Sequence, residues 1–234
     1  LDVLLLPARR ICLLDADAPH SREPVCWGAV EQLINLGACV DVGALREHTE
    51  ALLGIAAEIT LLRGRCCKFI GAAAALLGDA ARIAYECTAT EKIRRAAARI
   101  AAREFGAQGE PGEAPGREKR RFLSAVTPDG LVTLYDTLTA LCPRIYAIED
   151  EQGASSRLLL DELRRRALNA GWDIISCYCP LFPYDKIEHL LIPALGVGFT
   201  ASNQWHKADF PVYRRIHAAR FTDAERLRAH RQLL

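Results

Sequence analysis

The sequence lacks several features that assign a protein to a class at first sight. Its formal net charge is only +1, so no protein-wide field would attract nucleic acid or an anionic membrane. Its longest apolar stretch, residues 69–78, is too short to span a bilayer. No signal-peptide pattern opens the chain. We therefore expect a cytoplasmic protein without a membrane partner.

The number and spacing of the cysteines also do not indicate a disulfide framework. The cysteines number nine, which is odd, and are scattered over apolar segments, so we expect buried, reduced thiols. Cys177 and Cys179, with His189 and His206 downstream, are the one pair to consider as metal ligands. A C-x-C pair without a second pair is weak evidence for zinc, and the core is the favoured place for both thiols.

The rest of the sequence is typical of a globular α/β protein, with 50% hydrophobic and 25% charged residues. Strand-like and helix-like segments alternate, which predicts a parallel sheet. The predicted strands are RICLLDAD, a short strand near Gln32–Leu36, LVTLYD, RIYAIED, WDIISCY and GVGFTAS. Residues 41–105 have apolar side chains at helical spacing and predict two or three long helices in an antiparallel hairpin, with breaks near Gly78 and Thr88.

The stretch RIYAIEDEQGASSRLLLDEL, residues 144–163, has the strand, loop and helix order of a phosphate-binding loop. A functional loop reads G-x-x-x-x-G-K-[ST], in which glycines expose backbone N–H groups, the lysine contacts phosphate and the hydroxyl binds magnesium. With Gly153 in the middle of the loop, Asp150 stands at the first glycine position and Ser155 at the last. Ser156 then stands at the lysine position and Arg157 at the hydroxyl position. Carboxylates at positions 149–151 would also repel an anion at the mouth of the loop. The loop is therefore expected to be degenerate.

The first 20 residues, LDVLLLPARRICLLDADAPH, match a later stretch, IEHLLIPALGVGFTASNQWH, at a constant offset of 186 (193 − 7). A period of this length predicts a duplicated domain and excludes a solenoid. In the second copy, Gly153 lies 34 residues (187 − 153) before the match begins. The first copy's loop would then precede Leu1. We therefore expect a fragment that lacks the first loop, in line with the absence of methionine.

Four segments follow from these patterns. Residues 1–40 are interpreted as the C-terminal part of a first half, and residues 41–105 as a helical insertion. Residues 106–121, rich in glycine, proline and charge, are interpreted as a linker. Residues 122–234 form the second half. The predicted fold is a duplicated α/β parallel sheet with an inserted helical hairpin.

Several of these motifs occur in an order that resembles a known family: LLDADAPH, LSAVTPDG, the Gly153 loop and CPLFPYDKIEHLLIPALGVGFTASN. The family comprises little-characterised bacterial ATPase-like proteins with two P-loop NTPase halves and a helical insertion after the first. The resemblance covers nearly the whole chain apart from the insertion. It implies an ATP-binding fold with Mg-ATP as the ligand, nucleotide hydrolysis only if the missing first loop is intact, and no defined cellular process. This fragment alone is not expected to bind Mg-ATP.

The resemblance also implies roles for individual residues. Asp15, at the end of an apolar strand, would orient magnesium through water, with Asp17 as a nearby substitute. An aspartate that merely caps a turn is the alternative for Asp15. The position equivalent to Asp15 in the second half is Ala201 (201 − 15 = 186). Hydrolysis in the second half is therefore not expected.

The degenerate loop could still hold an anion through a helix N-terminus, using Gly153, Ala154, Ser155, Ser156 and Arg157. A surface ion pair of Arg157 with Glu151 or Asp161 is the favoured alternative. His20 and His206 occupy the same place in the two copies, just after a strand, where they could orient a nucleotide or fix the loop.

Two other functions remain open from sequence. The protein could be a non-catalytic scaffold that binds a protein partner through the helices of residues 41–105. Nucleic-acid binding through basic residues at 94–99 and 117–121 lacks interleaved aromatic side chains, and we rank it last.

Overall fold

The computed structural model describes residues 3–17, 21–106 and 115–230. The chain divides into two compact units, residues 1–61 and 62–234. The division falls inside the predicted insertion of residues 41–105 and not at either of its ends.

The first unit begins with a β-hairpin. Strand β1 (Val3–Leu6) pairs antiparallel with β2 (Ile11–Leu14), which confirms the strand predicted in RICLLDAD. A 3-10 turn, Pro7–Arg9, joins the two strands, and Arg10 then adopts a left-handed conformation at φ 56°. Non-glycine residues adopt this conformation uncommonly, and here it directs β2 back along β1.

Loop and helix make up the remainder of the first unit. The strand predicted near Gln32–Leu36 is wrong, because the Asn35 side chain accepts a hydrogen bond from the Gly37 N–H and opens a 3-10 turn, Leu36–Cys39. Helix α1 (Val42–Glu47) follows, and the Asp41 carboxylate caps it by accepting from the Ala44 N–H at 3.1 Å.

Helix α2 (Thr49–Glu86) is one continuous helix of 38 residues. The break predicted near Gly78 is wrong. A single glycine costs a helix only about 1 kcal/mol, and the adjacent Asp79 is held on the helix surface by Arg82 at 3.0 Å. The break predicted at Thr88 is confirmed, since the chain leaves the helix at Cys87 and re-enters one at Thr90.

The second unit continues after α2 with helices and strands in alternation. In chain order they are α3 (Thr90–Glu104), β3 (Glu118–Arg121), β4 (Ser124–Thr127), β5 (Gly130–Thr133), α4 (Tyr135–Leu141), β6 (Arg144–Glu149), α5 (Ala154–Asn169), β7 (Ile174–Cys179), β8 (Phe182–Ile192), β9 (Val197–Ser202), β10 (Arg214–His217) and α6 (Ala224–Ala229).

A six-stranded sheet organises the second unit, in the order β10-β6-β9-β8-β7-β3. Neighbouring strands are parallel except where β8 pairs, antiparallel, with β7 and β9. Strands β4 and β5 form a separate hairpin. The predicted α/β class and largely parallel sheet are therefore confirmed, with β8 as the exception.

Both faces of the sheet are buried, as expected of a largely parallel sheet. On one face, Tyr146 and Phe199 pack with apolar side chains of α3 and α5, among them Ile93 and Leu163. On the other face, neighbouring strand positions such as Ile145 pack against α4. The alternation of side chains along β6 thus supplies both halves of the core.

Helix α3 belongs to this core and not to a helical hairpin with α2. Its Ile93, Ala97 and Ile100, spaced along one helical face, are buried in the cluster that also contains Leu159 and Leu163 of α5. The predicted hairpin of residues 41–105 is wrong in this respect, because α3 uses its apolar stripe to cover the sheet.

Residues 106–121 are not a linker throughout, because Glu118–Arg121 form β3 at the edge of the sheet. The strand reads EKRR, and charged side chains on an edge strand discourage pairing with other chains. Glu118 and Arg164 of α5 form a half-buried ion pair at 2.6 Å. The hydrogen bond from Arg164 holds the pKa of Glu118 at about 2.

The cysteines are all unpaired in the structure, but only part of the burial prediction holds. Cys87, Cys142, Cys177 and Cys179 are buried, whereas the other five are exposed. Burial raises the pKa of Cys177 to about 12 and that of Cys179 to about 11. Both thiols are therefore protonated core side chains near neutral pH.

No helix within the described ranges combines the length and the apolar character needed to cross a membrane.

Candidate phosphate loop and adjacent polar cluster

The loop between β6 and α5 lies at the carboxyl end of the parallel strands, where ligands bind in α/β sheets. Strand β6 has parallel neighbours on both sides, β9 and β10. Gly153 adopts φ 74° and forms the N-cap of α5, which begins at Ala154. A side chain at Gly153 would be strained at this φ. The predicted strand, loop and helix are thus in place.

Asp150 caps the N-terminus of α5. Its Oδ2 accepts a hydrogen bond from the Ser156 backbone N–H at 2.7 Å, and its own N–H donates to the Ser202 carbonyl at 3.0 Å. Asp150 is buried. A carboxylate of the chain itself therefore satisfies one amide at the helix N-terminus, which is the kind of donor that binds anions in phosphate loops.

The neighbouring acidic side chains also have partners within the chain. Glu149 is paired with Arg215 at 2.9 Å and with His217 Nδ1 at 2.6 Å. Glu151 Oε2 accepts a hydrogen bond from the Gln204 N–H at 3.0 Å. The cluster predicted to repel an anion is therefore largely engaged in holding the loop against β9 and β10.

The predicted phosphate-loop side chains are divided between the interior and the surface. Ser155 and Ser156 are buried, so their hydroxyls are not displayed to a ligand. Arg157 is exposed. Asp161, one of its two expected partners, instead pairs with Arg165 at 3.4 Å. Within the described ranges Arg157 has no carboxylate partner, and its side chain lines a groove beside the loop.

A second group of polar residues, here called the Glu188 cluster, comprises Lys186, Glu188, Asn203 and His206. Glu188 Oε1 lies 3.2 Å from Lys186 Nζ and 3.3 Å from His206 Nε2. The Asn203 side-chain nitrogen lies 3.2 Å from the same ring nitrogen. Glu188 and His206 are almost completely buried, with side-chain exposures of 3% each.

Electrostatics keep Glu188 ionised. Burial alone would raise its pKa, but the hydrogen bond from His206 and the positive charge of Lys186 outweigh burial and hold the pKa well below its usual range. Glu188 Oε2 and His206 Nδ1, the remaining polar atoms of the pair, have no hydrogen-bond partner among the described residues. The cluster thus contains an ionised carboxylate with one free acceptor oxygen.

The Glu188 cluster adjoins the Gly153 loop. Lys186 Nζ lies 3.3 Å from the point that a Cβ on Gly153 would occupy, so the ammonium group lies against the loop. Tyr135 of α4 also contacts the Glu188 cluster, because its hydroxyl donates to the His206 carbonyl at 3.0 Å. His206, predicted from the repeat, is therefore next to the loop, while Lys186 and Glu188 were not predicted.

A signal for those two residues was present in the sequence. In DKIEHLLI, Lys186 and Glu188 are polar residues at alternate positions of a strand that becomes wholly apolar two residues later. Alternate positions lie on the same face of a strand. Polar side chains on one face at the beginning of a buried strand indicate a polar cluster at this end of the sheet.

His189 is a structural residue of the sheet. The Thr200 hydroxyl donates to the Ala201 carbonyl, so it accepts from His189 Nδ1 at 2.8 Å, and Ser124 Oγ lies 3.4 Å from the other ring nitrogen. Burial lowers the pKa of His189 to about 3. The ring is therefore neutral near pH 7 and joins β8, β9 and β4 through hydrogen bonds.

The candidate residues of the first half lie in the first unit. Asp15 Oδ1 accepts a hydrogen bond from the Asp17 N–H at 3.0 Å, and both residues are exposed. This geometry is that of an aspartate that shapes a turn. His20 lies outside the described residues.

Magnesium has no suitable ligands at the Gly153 loop. Ala201 follows the apolar part of β9 where an acidic side chain would be needed, and the hydroxyls of Ser155 and Ser156 are buried. Within the part of the chain that the structure describes, no group of three or more His, Cys, Asp or Glu side chains could hold a metal ion. The residues at this loop do not fit Mg-ATP.

Comparison with protein-family models, with curated proteins and with solved structures gave no match for this chain.

Proposed function

We propose that the protein is an ATP-binding, P-loop NTPase-like protein of two related halves, and that the second half, residues 122–234, has lost its phosphate site. The observation that carries this proposal is the 2.7 Å hydrogen bond from the Ser156 N–H to Asp150. The loop has the order and position of a phosphate loop, between a parallel strand and a helix, yet a side chain of the chain itself serves as the anion.

The duplication is supported by two hairpins with the same geometry. Hairpin β1–β2 and the hairpin formed by the end of β8 with β9 have the same pairing at an offset of 186 (189 − 3 and 200 − 14): Val3↔Leu14 and Leu6↔Ile11 correspond to His189↔Thr200 and Ile192↔Val197. Each hairpin has a 3-10 turn followed by a left-handed residue, Arg10 at φ 56° and Gly196 at φ 63°.

In this proposal any Mg-ATP chemistry belongs to the first half. Asp15 directly follows β2, the strand that corresponds to β9, and is the candidate for orienting magnesium through water. Its counterpart, Ala201, has no ligand atom beyond its backbone. In this proposal the second half binds no metal-nucleotide.

Titration of a protein that contains both loops with a non-hydrolysable Mg-ATP analogue tests this assignment. Any saturable binding is expected to disappear in Asp15→Ala and to persist in Arg157→Ala, because only Asp15 has the chemistry for magnesium. The reverse pattern would place a working site at the Gly153 loop and contradict the proposal. Calorimetry and the circular dichroism spectrum of each variant distinguish loss of binding from loss of fold.

A scaffold function is the second candidate, and one observation favours it. Apolar side chains remain exposed along the N-terminal part of α2, including Leu53 at 67% and Leu61 at 65%. Exposed apolar residues that share a helix are typical of surfaces that bind another helix. If none of the proteins in the titration binds the analogue, this candidate replaces the ATP-binding proposal.

A further inference from the structure

An apolar groove runs beside the Gly153 loop in the second unit and encloses about 970 Å³. Its walls come from α2, the β4–β5 hairpin, the start of β8 and the loop after β9, and include Phe69, Leu76, Val126, Phe182 and Trp205. A volume of this size lies at the upper end of the range of about 300–1,000 Å³ found for small-molecule sites.

The walls of the groove leave much apolar surface in contact with water. Phe69 is 68% exposed, Leu76 is 76% exposed and Trp205 is 61% exposed. Large contiguous apolar patches on soluble proteins often mark sites that bind a ligand or a partner. The walls therefore favour an occupant with a hydrophobic body.

One end of the groove is polar and carries charge. Arg157, Lys186, Glu151 and the Glu188–His206 pair all line it. The charge of Glu188 is already compensated by Lys186 at 3.2 Å. Glu151 is turned towards the Gln204 N–H. Arg157 is then the charged group of this end that has no partner among the described residues.

Two buried atoms give an independent indication of a polar ligand at the same end. Glu188 Oε2 and His206 Nδ1 belong to side chains that are 3% exposed and that line the groove, yet neither atom has a hydrogen-bond partner among the described residues. A buried polar atom without a hydrogen-bond partner destabilises the fold because its lost contact with water is not replaced. Because Glu188 Oε2 can only accept, the ligand must donate to it: the remaining P–OH of a phosphate monoester can do so, whereas a carboxylate cannot.

We propose that this groove binds an amphipathic anion: a small molecule with an apolar body along α2 and a carboxylate or phosphate head at Arg157. The guanidinium forms a charge-assisted hydrogen bond with the head, and Lys186 adds attraction from the loop side. The inference is independent of the nucleotide proposal, since the apolar walls suit a hydrocarbon body and the backbone amide of Ser156 stays bound to Asp150.

Calorimetric titration with four ten-carbon probes tests the head-group chemistry: decanoate, decyl phosphate, decan-1-ol and decyltrimethylammonium, all below their micellar concentrations. At least one of the two anions is expected to bind with a Kd about tenfold below that of the neutral alcohol, which corresponds to one charge-assisted hydrogen bond of about 1.4 kcal/mol. The ratio between decanoate and decyl phosphate then identifies the head as carboxylate or phosphate.

Charge variants should act in opposite directions on the better anion. Arg157→Gln is expected to raise its Kd about tenfold, and Glu151→Gln is expected to lower it, because it removes the opposing charge. Arg165→Gln, on the same helix but outside the groove, serves as the matched control and should leave the Kd unchanged. The affinity for decan-1-ol should not respond to any of these three changes.

Four results would overturn the proposal: equal affinity for the alcohol and the anions, tighter binding of the cation, no effect of Arg157→Gln, or no binding of any probe. Sedimentation of the same samples tests whether a second copy of the chain occupies the groove. A dimer that dissociates in Leu76→Glu and excludes the probes would assign the groove to a second copy of the chain and reject the small-molecule ligand.

Discussion

Replacement of Glu188 by leucine is expected to lower the free energy of unfolding by about 3 kcal/mol. Glu188 is 2% exposed and lies between Lys186 and His206. The substitution leaves the Lys186 ammonium without its partner in a largely dehydrated place, and a lone buried charge costs more than the pair contributes. Urea unfolding at pH 7, followed by circular dichroism, measures the change.

Asp185→Leu provides the control, because Asp185 is exposed on the same strand. Its effect should stay within about 0.5 kcal/mol, as for surface positions in general. Glu188→Gln should fall between the two, since it keeps the shape and one acceptor oxygen but loses the charge. Equal losses for Glu188→Leu and Asp185→Leu would mean that the buried cluster does not hold this end of the sheet.

The second large effect concerns pH. His189 has a pKa of about 3 in the folded chain, against 6.5 when exposed to water. Between these values the unfolded chain binds the additional proton, so folding becomes less favourable as pH falls. For this one group the free energy of unfolding should decrease by about 1.4 kcal/mol for each pH unit below about 6.5.

The window from pH 6.5 to pH 4.5 isolates His189. The lowered pKa values of Glu188, Glu118 and Glu104 act in the same direction, but mainly below the 4.5 of an unperturbed glutamate. Urea unfolding at several pH values should therefore give a steep slope for the native chain and a flatter one for His189→Gln. His48→Gln, at an exposed position of the first unit, should keep the native slope. An unchanged slope in His189→Gln would show that the ring is protonated in the folded state.

Three interior strands of the second unit could be predicted because their apolar residues are bounded by turn residues. β6, β7 and β9 were found in this way from RIYAIED, WDIISCY and GVGFTAS. β3 was not predicted because its sequence, EKRR, has no apolar residues. Its place in the sheet depends on pairing with β7, which lies more than 50 residues later (174 − 118 = 56).

The candidate site was predictable only in part for a similar reason. The repeat identified His206, and the loop pattern identified Gly153 and Arg157. The partners of His206 come from β8, and the pairing of β8 with β9 brings them together. The sequence also indicated that Asp150 would repel an anionic ligand. In the structure Asp150 has a more specific role that depends on the loop geometry, because it accepts a hydrogen bond from the Ser156 N–H and caps α5.

Helix α3 shows how composition can mislead. Its Ala- and Arg-rich sequence resembles that of the preceding helix, which favoured a hairpin of the two. The distinguishing feature is the spacing of Ile93, Ala97 and Ile100, which places three apolar residues on one face. That face is buried against α5, and composition alone does not reveal it.

Binding of inorganic phosphate to Asp150→Ala, compared with the native chain, tests most directly whether Asp150 fills a former phosphate site. We expect no saturable binding to the native chain and binding with a Kd of about 1–10 mM to Asp150→Ala, in which the Ser156 N–H and the α5 N-terminus are free. Asp150→Asn keeps an acceptor at the same place and should remain close to native. Phosphate binding of equal strength to the native chain and to Asp150→Ala, with both folded by circular dichroism, would contradict the account.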